Sequence, residues 1–131
     1  MIMLDTNICI YVLRYRPIEL LEKFNSAPEL SISSIVYAEL LYGLELSPKK
    51  LQKTRIKQLQ QFIQHLSIVP WSEHAAAHYA EIRASLKKEG TLIGNMDLLI
   101  GSHARSLKAP LVTNNKKEFK RIPDLKIENW V

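Results

Sequence analysis

Short apolar segments alternate along this chain with longer segments in which apolar residues recur every three or four positions. The short segments cover residues 2–4, 30–33, 67–70, 111–113 and 126–128 and are long enough only for strands. Most of them are continuous apolar runs without polar alternation, which indicates strands buried on both faces, as in a parallel sheet. The alternation predicts an α/β fold with a mainly parallel sheet between helices.

The longer segments predict six helices, at about residues 7–14, 17–25, 35–46, 48–66, 73–89 and 97–107. Thr6 or Asn7 is expected to cap the first helix and Ser33 or Ser34 the third. Ser72 is expected to cap the fifth helix, and Asp97 to open the sixth. Since no linker or internal repeat interrupts the pattern, residues 1–131 are expected to form one domain.

Composition excludes several classes of protein. Hydrophobic residues make up 47% and charged residues 24% of the 131 positions, which is typical of a globular domain and not of a disordered chain. The one cysteine, Cys9, excludes a disulfide framework or a CxxC metal site and favours the reducing cytoplasm. No apolar run approaches about 18 residues and no basic segment precedes Asp5, so we expect neither a membrane helix nor a signal peptide.

Three of the 13 acidic residues lie in apolar surroundings. Asp5 follows Ile-Met-Leu, Glu39 lies within Ile-Val-Tyr-Ala-Glu-Leu-Leu, and Asp97 lies within Asn-Met-Asp-Leu-Leu-Ile. An unpaired carboxylate is costly there, so such groups are neutralised, hydrogen-bonded or metal-bound. Because strand ends and helix starts meet at one edge of a parallel sheet, Asp5 and Asp97 are expected to share a site. Taken singly, each acid has a simpler interpretation as a helix cap or an exposed helix residue.

The order and spacing of these segments resemble a PIN-domain nuclease. The resemblance rests on Leu-Asp-Thr-Asn at 4–7, Glu39, Ile-Gly-Asn-Met-Asp-Leu-Leu-Ile at 93–100, Val-Thr-Asn-Asn at 112–115 and Glu-Phe at 118–119. The closing Ile-Glu-Asn-Trp at 127–130 narrows it to the VapC-type toxins of VapBC toxin–antitoxin modules. The likeness runs from Asp5 to Trp130 and implies a PIN-like three-layer α/β fold with a short central sheet.

The resemblance also implies an activity. The implied activity is that of an endoribonuclease dependent on Mg²⁺ or Mn²⁺, with Asp5, Glu39 and Asp97 as catalytic metal ligands. Carboxylates suit this role because hard divalent cations prefer oxygen ligands. The substrate expected from VapC relatives is tRNA, including the anticodon loop of initiator tRNA, whose cleavage inhibits translation. The implied partners are a VapB-type antitoxin and a second copy of the chain, in an assembly that binds operator DNA through the antitoxin. The implied location is the cytoplasm, with no membrane contact.

A fourth metal ligand is harder to assign. Many PIN domains carry an acid two residues after the Thr that corresponds to Thr113, but Asn115 stands there. Glu118 is the nearest acid and is our candidate, although it could instead pair with a neighbouring lysine. The polar residues expected to hold the acids or a phosphate are Thr6, Asn7, Thr113 and Asn115.

Basic residues outnumber acidic ones by 18 to 13, and two groups of them stand out. The first lies close in sequence to Asp97 and Thr113 and is predicted to contact the RNA backbone; its members are Arg105, Lys108, Lys116, Lys117, Lys120 and Arg121. The second is predicted to be a solvated helix face, and its members are Lys49, Lys50, Lys53, Arg55 and Lys57.

Two other functions compete with the nuclease. A phosphatase with Asp5 as nucleophile commonly has a second acid two residues later, and here Asn7 occupies that position. A non-catalytic RNA- or protein-binding domain would be favoured by the loss of one acid, but Asp5, Glu39 and Asp97 are all present. The sequence therefore favours the nuclease.

Overall fold

The computed structural model describes residues 1–27 and 29–131, and across them a five-stranded sheet forms the centre of the molecule. Its strands are β1 (Ile2–Leu4), β2 (Leu30–Ser33), β3 (Ser67–Val69), β4 (Leu111–Val112) and β5 (Ile127–Glu128). The spatial order is β3-β2-β1-β4-β5, and every neighbouring pair is parallel. The predicted parallel α/β sheet is confirmed.

Helices flank this sheet. They are α1 (Thr6–Tyr15), α2 (Ile18–Ser26), α3 (Ser34–Glu45), α4 (Lys49–Ile63), α5 (Glu73–Lys88), α6 (Asn95–Ser106) and α7 (Lys116–Phe119). Six correspond to predicted helices, whereas α7 was not predicted because four residues are too few to show a helical period. No helix in the described parts of the chain combines the length and the hydropathy needed to cross a bilayer.

The helix starts differ from the prediction in two places. Asp5, and not Thr6 or Asn7, caps α1, because its backbone is extended and its carboxylate accepts a hydrogen bond from the Ile8 N–H. Gly94 occupies the cap position of α6, so Asp97 lies inside the first turn and does not open the helix.

The strand order creates a topological switch point between β1 and β4. The chain runs outward from β1 to β2 and β3, and then returns to the other side of β1 to form β4 and β5. In open α/β sheets, ligands bind at the carboxyl ends of the strands where the order reverses. The residues that directly follow β1 and β4 are Asp5 and Thr113.

The hydrophobic core explains the continuous apolar runs. Met3, Leu4, Leu111 and Val112 are fully buried, since β1 and β4 are the inner strands of the sheet. Among the helices, α5 packs on α6, and α3 packs against α1, α4 and α6. The helices that carry Glu39 and Asp97 are therefore neighbours.

Candidate active site

Asp5 joins the end of β1 to the start of α1. Its N–H donates to the Val112 carbonyl at 3.1 Å, which extends the pairing of β1 and β4 by one residue. The side chain is only 2% exposed. One carboxylate oxygen, Oδ1, accepts from the Ile8 N–H at 2.9 Å, and Oδ2 accepts from the Thr113 hydroxyl. Two donors, one from the first turn of α1 and one from the residue that follows β4, thus fix this carboxylate.

Opposing influences act on the pKa of Asp5. Burial raises this pKa above its usual value, and the negative charge of Glu39 adds to the increase. The hydrogen bonds from Thr113 and Ile8 lower it, because they stabilise the ionised form. Burial has the largest effect, so the site favours any positive charge that comes near Asp5.

Glu39 is held beside Asp5 by the first turn of α1. Its Oε1 accepts a hydrogen bond from the Thr6 hydroxyl at 2.6 Å. Thr6 is the residue after Asp5, and α3 packs against α1. The carboxylate of a helix that begins after β2 is thereby brought to the end of β1.

Asp97 and Glu118 bring two further carboxylates to the same place. Burial raises the pKa of Asp97 to about 7, and a hydrogen bond with the Glu118 side chain contributes to this increase. The negative charges of Glu118, Asp5 and Glu39 contribute to the same increase. The structure therefore brings together the three acids singled out in the sequence, with Glu118 as a fourth.

Comparison with known proteins identifies the family to which this chain is similar. Residues 2–125 match the model of the PIN domain. Ribonuclease VapC2 of Rickettsia felis is 48% identical over 134 residues, which cover 98% of this chain and 96% of the relative. The tRNA(fMet)-specific endonuclease VapC of Salmonella typhimurium is 40% identical over 131 residues, with 98% and 96% covered. A crystal structure of VapBC2 from Rickettsia felis bound to a promoter DNA fragment superposes with a TM-score of 0.91 at 45% identity, covering 100% of both chains.

The chain belongs to the VapC family of PIN-domain ribonucleases. The predicted resemblance is confirmed. The fold also agrees with the PIN-like architecture that this resemblance implied.

In this VapC-family chain, α7 is placed by hydrogen bonds and by one glycine. The Thr113 hydroxyl accepts from the Asn115 N–H at 2.9 Å, which turns the chain from β4 into α7. Gly101 of α6 faces α7, and a Cβ there would collide with Cδ1 of Ile122. The missing side chain lets α6, which carries Asp97, approach the segment that carries Glu118.

A second connection joins α3 to α6. The Ser33 hydroxyl accepts from the Ile35 N–H at 3.1 Å and so caps α3. The same hydroxyl is hydrogen-bonded to Nδ1 of His103 at 2.8 Å. His103 is buried in α6, and this burial lowers its pKa. The sequence did not predict this contact. Its only signal there is a histidine within an apolar helix.

The predicted supporting residues divide into two groups. Thr6 and Thr113 donate hydrogen bonds to Glu39 and Asp5. Asn7 is exposed, and Asn115 contributes its backbone N–H to the Thr113 hydroxyl. With Asn7 exposed and both oxygens of Asp5 already hydrogen-bonded, nothing here favours the alternative aspartyl phosphatase.

The structure places members of the first basic group in different surroundings. Lys116, Lys117 and Lys120 are exposed on and beside α7, next to Glu118, which forms no ion pair among the described residues. Arg105 lies eight residues after Asp97 on α6, about 12 Å along the helix axis. There it pairs with Glu81 and donates to Nδ1 of His78 at 2.9 Å. The prediction that Arg105 flanks the site was wrong, because these contacts hold its side chain against α5. The predicted contact of Lys108 with the RNA backbone stays a prediction.

The donor set suits a hard divalent cation. Asp5, Glu39, Asp97 and Glu118 offer only carboxylate oxygens, and the charges of the other three add to burial in raising the pKa of Asp97. Over residues 1–27 and 29–131, no three His, Cys, Asp or Glu side chains already form a metal-ligand cluster. Mg²⁺ needs no such cluster, because proteins usually hold it through one or two carboxylates while it keeps several waters.

Proposed function

We propose that this chain is a divalent-metal-dependent endoribonuclease with Asp5, Glu39 and Asp97 as catalytic residues. The observation that carries the proposal is the meeting of carboxylates from separate elements at the switch point of the sheet. There, burial and then the neighbouring carboxylates raise the pKa of Asp97 to about 7. Such a site is unfavourable for folding, since like charges repel and no cation side chain pairs with them among the described residues. The RNA hydrolysis that these carboxylates would support explains why the chain keeps an arrangement that is unfavourable for folding.

Mg²⁺ or Mn²⁺ is the cofactor that these residues would hold, chiefly through Asp5 and Asp97, with Glu39 and Glu118 close by. When bound, such a cation activates water and offsets the negative charge that develops on a phosphodiester during hydrolysis. We include Glu118 as a peripheral ligand because its carboxylate lies close enough to Asp97 to raise the pKa of that group. Asn115 remains the alternative for this fourth position.

The surrounding residues orient the acids and bind the RNA. Thr113 and the Ile8 N–H hold both oxygens of Asp5, and Thr6 fixes Glu39. Because its pKa is raised to about 7, Asp97 is partly protonated near neutral pH and must lose this proton before it carries a full negative charge. The predicted contacts to the RNA backbone are the exposed lysines next to Glu118, namely Lys116, Lys117 and Lys120.

We further propose that the substrate is tRNA, with initiator tRNA as the first candidate, and that its cleavage inhibits translation in the cytoplasm. The support is the 40% identity to the Salmonella typhimurium protein, whose name states specificity for tRNA(fMet). The cleaved position is proposed to be in the anticodon loop.

The proposed partners are a VapB-type antitoxin and a second copy of the chain. The support is the Rickettsia felis structure, a VapBC2 complex on promoter DNA. On this chain, large apolar side chains are exposed at the end of α3, among them Tyr42 of the helix at 65% and the following residue Leu46 at 68%, which an assembly would cover. We propose that operator DNA is contacted through the antitoxin.

The activity is tested with protein freed of metal by EDTA and then dialysed. It is incubated with bulk tRNA, with and without millimolar Mg²⁺ or Mn²⁺, and cleavage is followed on denaturing gels. Asp5→Asn, Glu39→Gln and Asp97→Asn should each reduce the rate by about 100-fold or more, as expected for loss of a group in metal-assisted hydrolysis.

Asp124→Asn is the matched control, because Asp124 is the remaining aspartate of the chain and is exposed on the loop before β5. Its rate should stay within about twofold of the wild type. Near-normal cleavage by Asp5→Asn or Asp97→Asn would contradict the proposed roles, and metal-independent cleavage would contradict the cofactor.

A further inference from the structure

One face of α4 carries lysines and no acid. Lys49, Lys50, Lys53 and Lys57 are all exposed, and Thr54, Gln60 and Gln61 complete the same face. At 3.6 residues per turn, these seven side chains span a sector of about 140°. We call this set of seven residues the α4 lysine face.

The opposite side of α4 supports the fold. Leu59 is buried, and Phe62 and Ile63 pack against the core. Arg55, which the sequence grouped with the lysines, lies on this inner side and donates to the Ser47 hydroxyl at 2.8 Å. Arg55 is itself exposed, but this hydrogen bond ties it to the segment between α3 and α4, whereas the four exposed lysines lie on the side away from the core.

The four lysines are placed where they destabilise their own helix. Lys49, Lys53 and Lys57 follow one another at spacing i,i+4, where like charges repel. Lys49 and Lys50 lie in the first turn, which contains no acid, so their charges oppose the helix macrodipole. Across the described residues, the ion pairs of the protein do not involve α4. Folding therefore does not account for these lysines, and violations of local preference of this kind are expected at functional surfaces.

The composition of the face identifies the chemistry of its partner. Protein interfaces are depleted of lysine and depend on aromatic or apolar anchors, and the face has no such anchor. Lysine ammonium groups, glutamine amides and a threonine hydroxyl are instead typical contacts to phosphate and sugar. From Lys49 to Lys57 the face is about 12 Å long, enough to follow a backbone over several charges.

We propose that the α4 lysine face is a second RNA-binding surface, which holds the phosphate backbone of the substrate outside the cleaved segment. The identity of the polyanion as RNA rests on the proposed function. Because α4 packs against α1 and α3, which carry Thr6 and Glu39, the face belongs to the same rigid part of the molecule as the carboxylates. The surface selects long or structured RNA over short fragments.

The test compares two triple variants that remove the same charge. Lys49→Gln, Lys53→Gln and Lys57→Gln change the face, while Lys23→Gln, Lys87→Gln and Lys88→Gln change exposed lysines of α2 and α5. Binding of labelled bulk tRNA is measured by fluorescence anisotropy in EDTA, so that cleavage does not interfere, at several salt concentrations. A labelled eight-nucleotide RNA that covers only the cleaved segment is the second probe.

The α4 triple variant should lose at least about tenfold in tRNA affinity at 0.1 M salt, and its slope of log K against log salt should flatten by about 2. Its affinity for the eight-nucleotide RNA should be unchanged, and its melting temperature should equal or exceed that of the wild type. The control triple should change tRNA affinity less than about threefold.

Equal losses in both triples would overturn the proposal, because only net charge would then matter. It would also be overturned if the α4 triple kept tRNA affinity but lost binding to the antitoxin, which would make the face a protein-docking surface. Binding is measured without metal, so a failure of the α4 surface is separate from a failure of the nuclease, which would appear as absent cleavage by the wild type with metal.

Discussion

Replacing Asp97 with Asn should stabilise the protein in the absence of metal. The carboxylates around Asp97, together with its burial, move its pKa from 3.8 to about 7, which corresponds to ~4 kcal/mol against folding with this group ionised. Because Asp97 is only half-buried, solvent screens part of this energy, and about 2 kcal/mol is a realistic gain. For a domain of 131 residues this equals roughly 6–8 °C in melting temperature.

The stability that Asp97→Asn gains over the wild type depends on pH in a defined direction. Below about pH 4, Asp97 is protonated in both the folded and the unfolded chain and contributes nothing. Between about pH 4 and 7 the unfolded chain releases this proton first, so the folded state binds more protons and the free energy of unfolding falls as pH rises. Asp97→Asn should therefore match the wild type near pH 4 and exceed it fully at pH 8.

The assay is thermal unfolding followed by circular dichroism, in EDTA at pH 4, 6 and 8, for the wild type, Asp97→Asn and Asp124→Asn. Added Mg²⁺ or Mn²⁺ should raise the melting temperature of the wild type more than that of Asp97→Asn, because a cation relieves the same repulsion. If Asp97→Asn melts at or below the wild type at pH 8 in EDTA, the charge repulsion inferred at this site is wrong. An equal shift for Asp124→Asn would assign the effect to net charge alone.

Four further substitutions test individual positions. Glu118→Gln should raise the Mn²⁺ concentration needed for half-maximal cleavage, with a smaller loss at saturating metal than Asp97→Asn; a larger effect of Asn115→Ala would move the fourth position to Asn115. Thr113→Val removes the donor to Oδ2 of Asp5, so the acidic limb of the cleavage pH profile should move to higher pH, and an unmoved profile would contradict this role. Gly43→Ala meets no atom within 4 Å and should raise the free energy of unfolding by about 0.5–1 kcal/mol in chemical denaturation, with cleavage unchanged.

The parallel sheet could be predicted because its inner strands are buried on both faces. Met3 and Leu111 belong to runs that contain only apolar residues, and such runs have few other interpretations at that length. The short helix α7 could not be predicted, since its four residues depend on the Thr113 hydroxyl and on the close approach of Gly101. The first is a local turn and the second a tertiary contact, and neither leaves a periodic pattern in the sequence.

The acids could be predicted as site residues because an unpaired carboxylate within an apolar run is unfavourable. The sequence does not show where a side chain points. It therefore could not tell whether Glu118 pairs with a lysine or faces Asp97, because a short turn allows both. It also placed Arg105 near Asp97, although a helix separates residues that are eight positions apart. Contacts across the switch point, such as Thr113 with Asp5, depend on β1 and β4 being neighbours, which only the folded sheet determines.

Asp5 supports the fold and the chemistry at once, and the two roles can be separated. As a helix cap it contributes about 1 kcal/mol, and asparagine caps a helix as well as aspartate does. In Asp5→Asn the side-chain oxygen can still accept from the Ile8 N–H, while the charge next to Glu39 is lost. In Asp5→Ala both the cap and the charge are lost, and the Thr113 hydroxyl is left buried without its partner. A folded but inactive Asp5→Asn beside a destabilised Asp5→Ala is therefore the pattern expected of a carboxylate whose position is fixed by folding and whose charge serves catalysis.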